Sequence, residues 1–304
     1  MEFIKDSFLS SDGKTQVSCY FYVPEAPKAI IQLSHGMCEY VERYAPHAEY
    51  FASQGFIFCG HDHLGHGHTA ASENDLGYTV SADCLVEDLS KMTLKAKEKY
   101  PDLPVFLFGH SMGSFIARCY LSKYSDLIAG AVISGTAGRG NPTSIGKLLC
   151  RVIALFKGDC HRSGLVKSIS TGSYYKKFGK DAPKSAWVTS NAAIREKYDA
   201  DPLCRYTFTL NGYYNMFDLL GRVSAKGWAA SVDTSLPLLL IGGTDDPVGG
   251  EKGINEVANR LRAAGASELT VRLWQGARHE LLNEIDEIRD ETYTTVTDWI
   301  NSKI

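Results

Sequence analysis

The segment PVFLFGHSMGSFIARCYLSKY, residues 104–124, constrains this chain more than any other. Val105–Phe108 is an apolar run without polar alternation, as expected of a parallel strand covered on both faces. It enters Gly109-His110-Ser111-Met112-Gly113 and leaves through a helical pattern. A G-x-S-x-G between strand and helix reads as a sharp bend with the serine Oγ at the strand's C-terminal tip. Gly109 and Gly113 lack a Cβ, so strand and helix can approach closely. The helix start aims unpaired N–H groups at developing negative charge. Ser111 is thus the expected nucleophile and the Met112 N–H one oxyanion donor. The bland alternative is a glycine-rich turn in a non-catalytic α/β protein.

Similar short apolar runs recur at 17–23, 29–33, 56–59, 131–134, 238–241 and 269–273, and read as strands. Helical patterns lie between them. In 82–100, Leu85, Leu89, Met92 and Ala96 share a face. The patterns at 112–124, 254–264 and 288–300 are further helices. Alternating strands and helices predict an α/β fold: a mostly parallel central sheet with helices on both faces. The alternation fails between about 138 and 226, so a core of 1–138 and 226–304 is expected, with 139–225 inserted as a helical cap. A chain of 304 residues suits that organisation.

A net charge of −3 offers no global field for nucleic acid, which is not an expected partner. Eight cysteines form no C-x-x-C pair, and several sit in apolar runs. Reduced thiols and a cytoplasmic location follow as expectations. No basic-then-apolar leader opens the chain, and no apolar run reaches the roughly 18 residues of a membrane span.

A serine needs a base. In a sheet of this kind, the order Ser, Asp/Glu, His places the partners on loops at the strands' C-terminal edge. LPLLLIGG ends in Thr244-Asp245-Asp246, and LTVRLW is followed by Gln275-Gly276-Ala277-Arg278-His279. His279 is the only histidine after position 161 and the expected base. Spacing alone does not separate Asp245 from Asp246, since either can form the turn. A second oxyanion donor is expected from the loop after the strand at 29–33, where Ser34-His35-Gly36-Met37 offers the Met37 N–H. His61-Asp62-His63-Leu64-Gly65-His66-Gly67-His68 could suggest a metal site. It has no evident downstream carboxylate, and a complete serine apparatus exists elsewhere, so no metal is expected; no organic cofactor is implied either.

Together these residues resemble the monoacylglycerol lipase and lysophospholipase branch of the α/β-hydrolases, serine aminopeptidase S33-type. The similar segments are HGMCEYVERY at 35–44, HDHLGHG at 61–67, YPDLPVFLFGHSMG at 100–113, LPLLLIGGTDDPVG at 236–249 and QGARHE at 275–280. The resemblance implies the α/β-hydrolase fold with a cap, places the triad acid on Asp246, and makes HDHLGHG a structural stretch. It also implies hydrolysis of a monoacyl ester, such as a monoacylglycerol or a lysophospholipid. Peptidase, thioesterase and acyltransferase chemistry use the same acyl-enzyme, and a non-catalytic binding protein would keep the pocket. These alternatives stay open at the level of sequence.

Within the insertion, SIGKLLCRVIALFK at 144–157 reads as an amphipathic helix. Leu148, Leu149, Val152 and Phe156 are candidate substrate-binding residues. With Lys147, Arg151 and Lys157 off that stripe, the helix is also a candidate for peripheral membrane contact. A helix packed on its own core is the competing reading. Tyr174, Tyr175, Trp187, Tyr213, Tyr214 and Phe217 are candidate pocket walls.

Overall fold

The structure is a computed structural model that describes residues 1–140 and 142–304. Asn141, inside the expected cap range, lies outside the described residues. Among the described residues the strands are β1 (Glu2–Leu9), β2 (Gln16–Val23), β3 (Ala29–Ser34), β4 (Phe56–His61), β5 (Val105–His110), β6 (Gly130–Ser134), β7 (Leu238–Gly243) and β8 (Leu269–Trp274). The helices are α1 (Ala45–Ser53), α2 (Ala82–Lys99), α3 (Met112–Tyr124), α4 (Thr143–Lys157), α5 (Gly164–Ser170), α6 (Ala192–Ala200), α7 (Leu210–Ser224), α8 (Gly250–Ala263) and α9 (Asp286–Asn301).

The strands form one sheet in the order β1-β2-β4-β3-β5-β6-β7-β8. β2 runs antiparallel to both its neighbours, and all pairs from β4 to β8 are parallel. Strands β3 to β7 are buried along their whole length, which explains their largely apolar sequences; Gln32, the polar residue inside β3, is buried and donates to Leu89 O at 2.9 Å. Alternate residues feed two cores. Ile30, Leu107, Ile133 and Leu240 pack with α2, α3 and α8. Ile31, Phe106, Val132 and Ile241 pack with α1 and α9 on the other face. The sheet order and two-sided helix cover are those of an α/β-hydrolase.

β1 was not expected from sequence. It is an edge strand paired only through β2, and most of its side chains are exposed. Ile4 and Phe8 pack against one core and Phe3 lies on the Tyr22 ring at 4.6 Å, too few to make an apolar run. Between β6 and β7 the described residues form α4 to α7 and no strand. α7 starts where Thr209 Oγ1 accepts the Gly212 N–H at 3.1 Å. It packs along α4, and Gly146 is the close point: a Cβ there would lie 2.8 Å from the Phe217 ring.

Candidate active site

Ser111 stands between β5 and α3 with φ 54° and ψ −122°. A non-glycine residue in such a region costs on the order of 1–3 kcal/mol and needs surrounding structure to hold it. That structure is present. The Ser111 N–H donates to Ser134 O at 3.0 Å, and its carbonyl accepts from the Ser114 N–H at 2.9 Å. The glycines on either side are obligatory. A Cβ on Gly113 would fall 1.9 Å from Ser34 O, and one on Gly109 would fall 2.7 Å from Ala117 Cβ. The bend thus exists because strand β3, helix α3 and the turn share space that no side chain can occupy.

His279 follows β8 on a loop and lies at the same sheet edge. Its Nδ1 is 2.9 Å from Asp246 Oδ2, and the other carboxylate oxygen accepts the Val248 N–H at 2.8 Å. An ionised carboxylate only accepts, so the proton sits on Nδ1 and the Nε2 lone pair is free. His279 Nε2 is buried and has no hydrogen-bond partner among the described residues. Burial disfavours the charged ring, but the charge and hydrogen bond of Asp246 outweigh it and hold the pKa above the ordinary 6.5. The loop is anchored from outside: the His279 N–H donates to Trp187 O at 3.3 Å and the Glu280 N–H to Val188 O at 2.8 Å. Gly135, at φ 60°, makes room for the ring, since a Cβ there would be 3.0 Å from His279 Cε1. Asp245 instead faces outward and pairs with Lys177 at 3.3 Å.

Ser111, His279, Met37 and Met112 line one cavity of about 160 Å³. The Met112 N–H is in the first turn of α3, where no intrahelical acceptor exists. Met37 follows Gly36, whose missing Cβ lets the backbone pass beside the serine. The rest of the wall is mostly apolar: Phe115, Leu149, Met216, Phe217, Leu220 and Val248, with Tyr174 and Trp187 near the imidazole.

Three of the four candidate binding residues on α4 lie elsewhere. Leu148, Val152 and Phe156 are exposed and do not line the cavity, whereas Leu149 does. The reason is helical phase. The face carrying Gly146, Leu149, Cys150 and Ile153 packs inward against α7 and the core, which turns 148, 152, 155 and 156 outward. Among the aromatics, Tyr174, Trp187 and Phe217 line the cavity. Tyr213 is buried in the core. The Tyr214 ring lies under Arg151, 4.8 Å away.

The histidine-rich stretch is internal bracing. Asp62 accepts the Val41 and His68 N–H groups, each at 2.8 Å. His35 Nε2 accepts the His63 N–H at 3.0 Å, which leaves Nδ1 to donate to Gly36 O at 2.9 Å. Among the described residues no group of three or more His, Cys, Asp or Glu side chains is placed to hold a metal ion.

One feature of the site went unread in the sequence. Glu39 accepts the Gly36 N–H, and Arg43 bridges Glu39 at 3.0 Å to Glu280 at 2.6 Å. The loop carrying Met37 is thereby tied to the loop carrying His279. Burial, aided by Glu280, pushes the Glu39 carboxyl up to about 7 against the pull of Arg43.

A strand-to-helix serine, a histidine three strands away and a carboxylate behind it, all at the C-terminal edge of this sheet, define the class as α/β-hydrolase. More narrowly, the chain belongs to the family described as serine aminopeptidase, S33, whose pattern matches residues 25–286. It is similar to monoglyceride lipase from Mus musculus, 25% identical over 297 residues that span 97% of this chain and 90% of that protein. It is also similar to monoacylglycerol lipase from Mycolicibacterium smegmatis, 24% identical over 280 residues, 91% of this chain and 90% of that protein. A solved structure of a highly thermostable carboxyl esterase from Bacillus coagulans in complex with glycerol superposes with TM-score 0.91 at 30% identity, covering 100% of this chain and 99% of that one.

Proposed function

We propose that this chain is a serine ester hydrolase that cleaves monoacylglycerols or lysophospholipid-type monoacyl esters, with Ser111, Asp246 and His279 as its triad. The observation that carries this reading is His279: buried, held by Asp246 through Nδ1, with Nε2 unpartnered on the cavity that Ser111 lines. Ser111 Oγ attacks the ester carbonyl while His279 Nε2 takes its proton. The Met37 and Met112 N–H groups receive the oxyanion. The imidazolium, steadied by Asp246, protonates the departing alcohol, and water then releases the acid from the acyl-enzyme by the same steps. No metal or organic cofactor enters these steps.

The apolar wall suits an acyl chain, and the names of the lipase relatives support the substrate class. In this reading 139–225 is a cap on a core of 1–138 and 226–304. Its outer surface carries Leu148, Val152, Leu155, Phe156, Leu165 and Ile169, all exposed. Residues 143–190 hold nine Lys or Arg against two Asp, in a chain whose net charge is −3. An apolar patch within a basic segment suits peripheral contact with an anionic lipid surface. No helix among the described residues is long and apolar enough to cross a membrane. All eight cysteines are free and five are buried, which supports a reducing, cytoplasmic setting.

The test is an ester panel of rising acyl length with a fluorophosphonate label. Wild type should label and prefer monoacylglycerols over acetyl esters, and Ser111→Ala should do neither. A wild type that resists the label, or prefers acetyl to long acyl groups, counts against the reading.

A further inference from the structure

Arg118 sits two turns along α3 from Ser111, and it is 1% exposed. It forms no ion pair with a carboxylate among the described residues, and burial, reinforced by Arg260, lowers its pKa to about 9. A buried guanidinium without a counter-ion is costly unless other groups replace its hydration. Its partners supply that replacement for NH1 and NH2, while Nε is buried without a hydrogen-bond partner among the described residues. NH1 donates to Thr136 Oγ1 at 3.1 Å and to Ala137 O at 2.8 Å, and NH2 donates to Val223 O at 3.0 Å. The guanidinium also lies over the Trp228 ring at 4.2 Å, and the Trp228 Nε1–H donates to the Arg118 carbonyl at 2.8 Å.

Those acceptors are the two ends of one segment. Thr136 and Ala137 are where the chain leaves β6 for α4, and Val223 is in the last turn of α7, where the chain returns. The carbonyls at a helix C-terminus are unpaired and carry partial negative charge. Two further arginines meet the same turn. Arg139 Nε donates to Ser224 O at 2.9 Å, and Arg260 NH1 to Val223 O at 2.9 Å. Arg260 stands over the Trp228 ring at 5.2 Å. Arg139 and Arg260 also pair with Glu256, each at 3.8 Å. Arg118 is thus the cation of this cluster that meets the α7 C-terminus without an ion pair among the described residues, and it alone is fixed to the serine's own helix.

We propose that Arg118 is a positioning residue that pins both ends of the β6–β7 segment to α3 and so sets the acyl-chain wall relative to Ser111. The wall in question is Met216, Phe217 and Leu220, on one face of α7. This inference rests on the ester-hydrolase reading above. Arg118 itself lines neither the cavity nor the triad; of its partners, Ala137 lines the cavity. Its effect on the acyl wall passes through α7.

The experiment uses the full chain with Arg118→Met, which keeps bulk and removes the donors, and Arg118→Lys, a point charge without the planar fork. Hydrolysis of p-nitrophenyl acetate and of p-nitrophenyl dodecanoate is followed, with hydrogen exchange of 134–140 and 210–226. In Arg118→Met, kcat/KM for acetate should stay within about threefold of wild type. For dodecanoate it should fall at least tenfold, mainly through KM, and Arg118→Lys should be intermediate. Amides of 210–226 should exchange faster while those of β5 keep their protection. Phe217→Ala should cost less on dodecanoate in the Arg118→Met background than in wild type. Parallel loss on both esters, or no loss on either, overturns the proposal. Should Arg118→Met not fold, Arg118→Lys decides by the same ratio. Should wild type hydrolyse neither ester, the ester-hydrolase reading fails, and unchanged exchange at 210–226 would separately overturn the pinning role.

Discussion

A Cβ on Gly36 would sit 2.9 Å from the Cβ of Ser111, closer than two such carbons can stand. The oxyanion loop and the nucleophile therefore touch through a missing side chain. In Gly36→Ala the loop must retreat, taking the Met37 N–H with it. Loss of one oxyanion donor costs about 10²–10³ in kcat. We expect a fall of about 10²-fold in kcat on a soluble ester, with KM little changed and the thermal transition retained. Unchanged kcat would mean that Met37 is not a donor.

The His279–Asp246 pair sets the acid limb of the pH profile. The folded imidazole titrates above its ordinary 6.5, so its inactive, protonated form persists to higher pH. Activity should rise with pH through a midpoint above 6.5. Asp246→Asn removes the charge that raises the pKa, so the midpoint should move down even as kcat drops by about 10⁴. The measurement is kcat/KM on a soluble ester from pH 5 to 9. A midpoint that does not move in Asp246→Asn would disconnect the two residues.

How far the sequence reveals this molecule depends on how local each determinant is. Strands β3 to β7 were legible because each is buried on both faces and so is largely apolar. The elbow around Ser111 was legible because its two glycines are demanded by contacts a few residues away or by β3 alongside. β1 was not, because an exposed edge strand has no reason to be apolar. The stripe on α4 was visible, but which half faces inward is decided by α7, some seventy residues on, as the contact of Gly146 with Phe217 shows. The bridge from Arg43 to Glu280 spans 237 positions, and nothing near either residue announces the other.

Stability should weaken on mild acidification. His35, His47, His61, His63, His66 and His110 are buried, and burial lowers the pKa of each, to about 3 for His47 and His61 and about 4 for His66. Below pH 6.5 the unfolded chain takes up these protons and the folded chain does not, so stability is lost as pH falls from about 6.5 toward 4. Each such imidazole contributes up to about 1.4 kcal/mol per pH unit to that slope. Glu39, Asp62, Asp88 and His279 oppose it, since their raised pKa values make folding take up protons. Six groups against four leave a net loss. The urea midpoint should fall between pH 7 and pH 5, and His66→Gln should flatten that fall. A midpoint that rises on acidification would refute this balance.

The outward face of α4 gives the last prediction. Leu155 and Phe156 are 82% and 85% exposed, so replacing them removes no packing and should change stability by no more than about 0.5 kcal/mol. If their place is a lipid surface, Leu155→Glu with Phe156→Glu removes two buried apolar groups and adds two charges that anionic headgroups repel. Flotation with vesicles of one quarter phosphatidylserine should drop at least tenfold, while hydrolysis of a soluble acetyl ester is unchanged. Turnover of a long-chain monoacylglycerol presented in those vesicles should fall with binding. The basic residues of 143–190 add a second signature, because screening weakens their attraction over a Debye length of about 8 Å at physiological salt. Wild-type binding should therefore decline as salt rises, and neutral vesicles should capture less protein than anionic ones. Equal flotation of wild type and the double variant would show that this face meets something other than lipid.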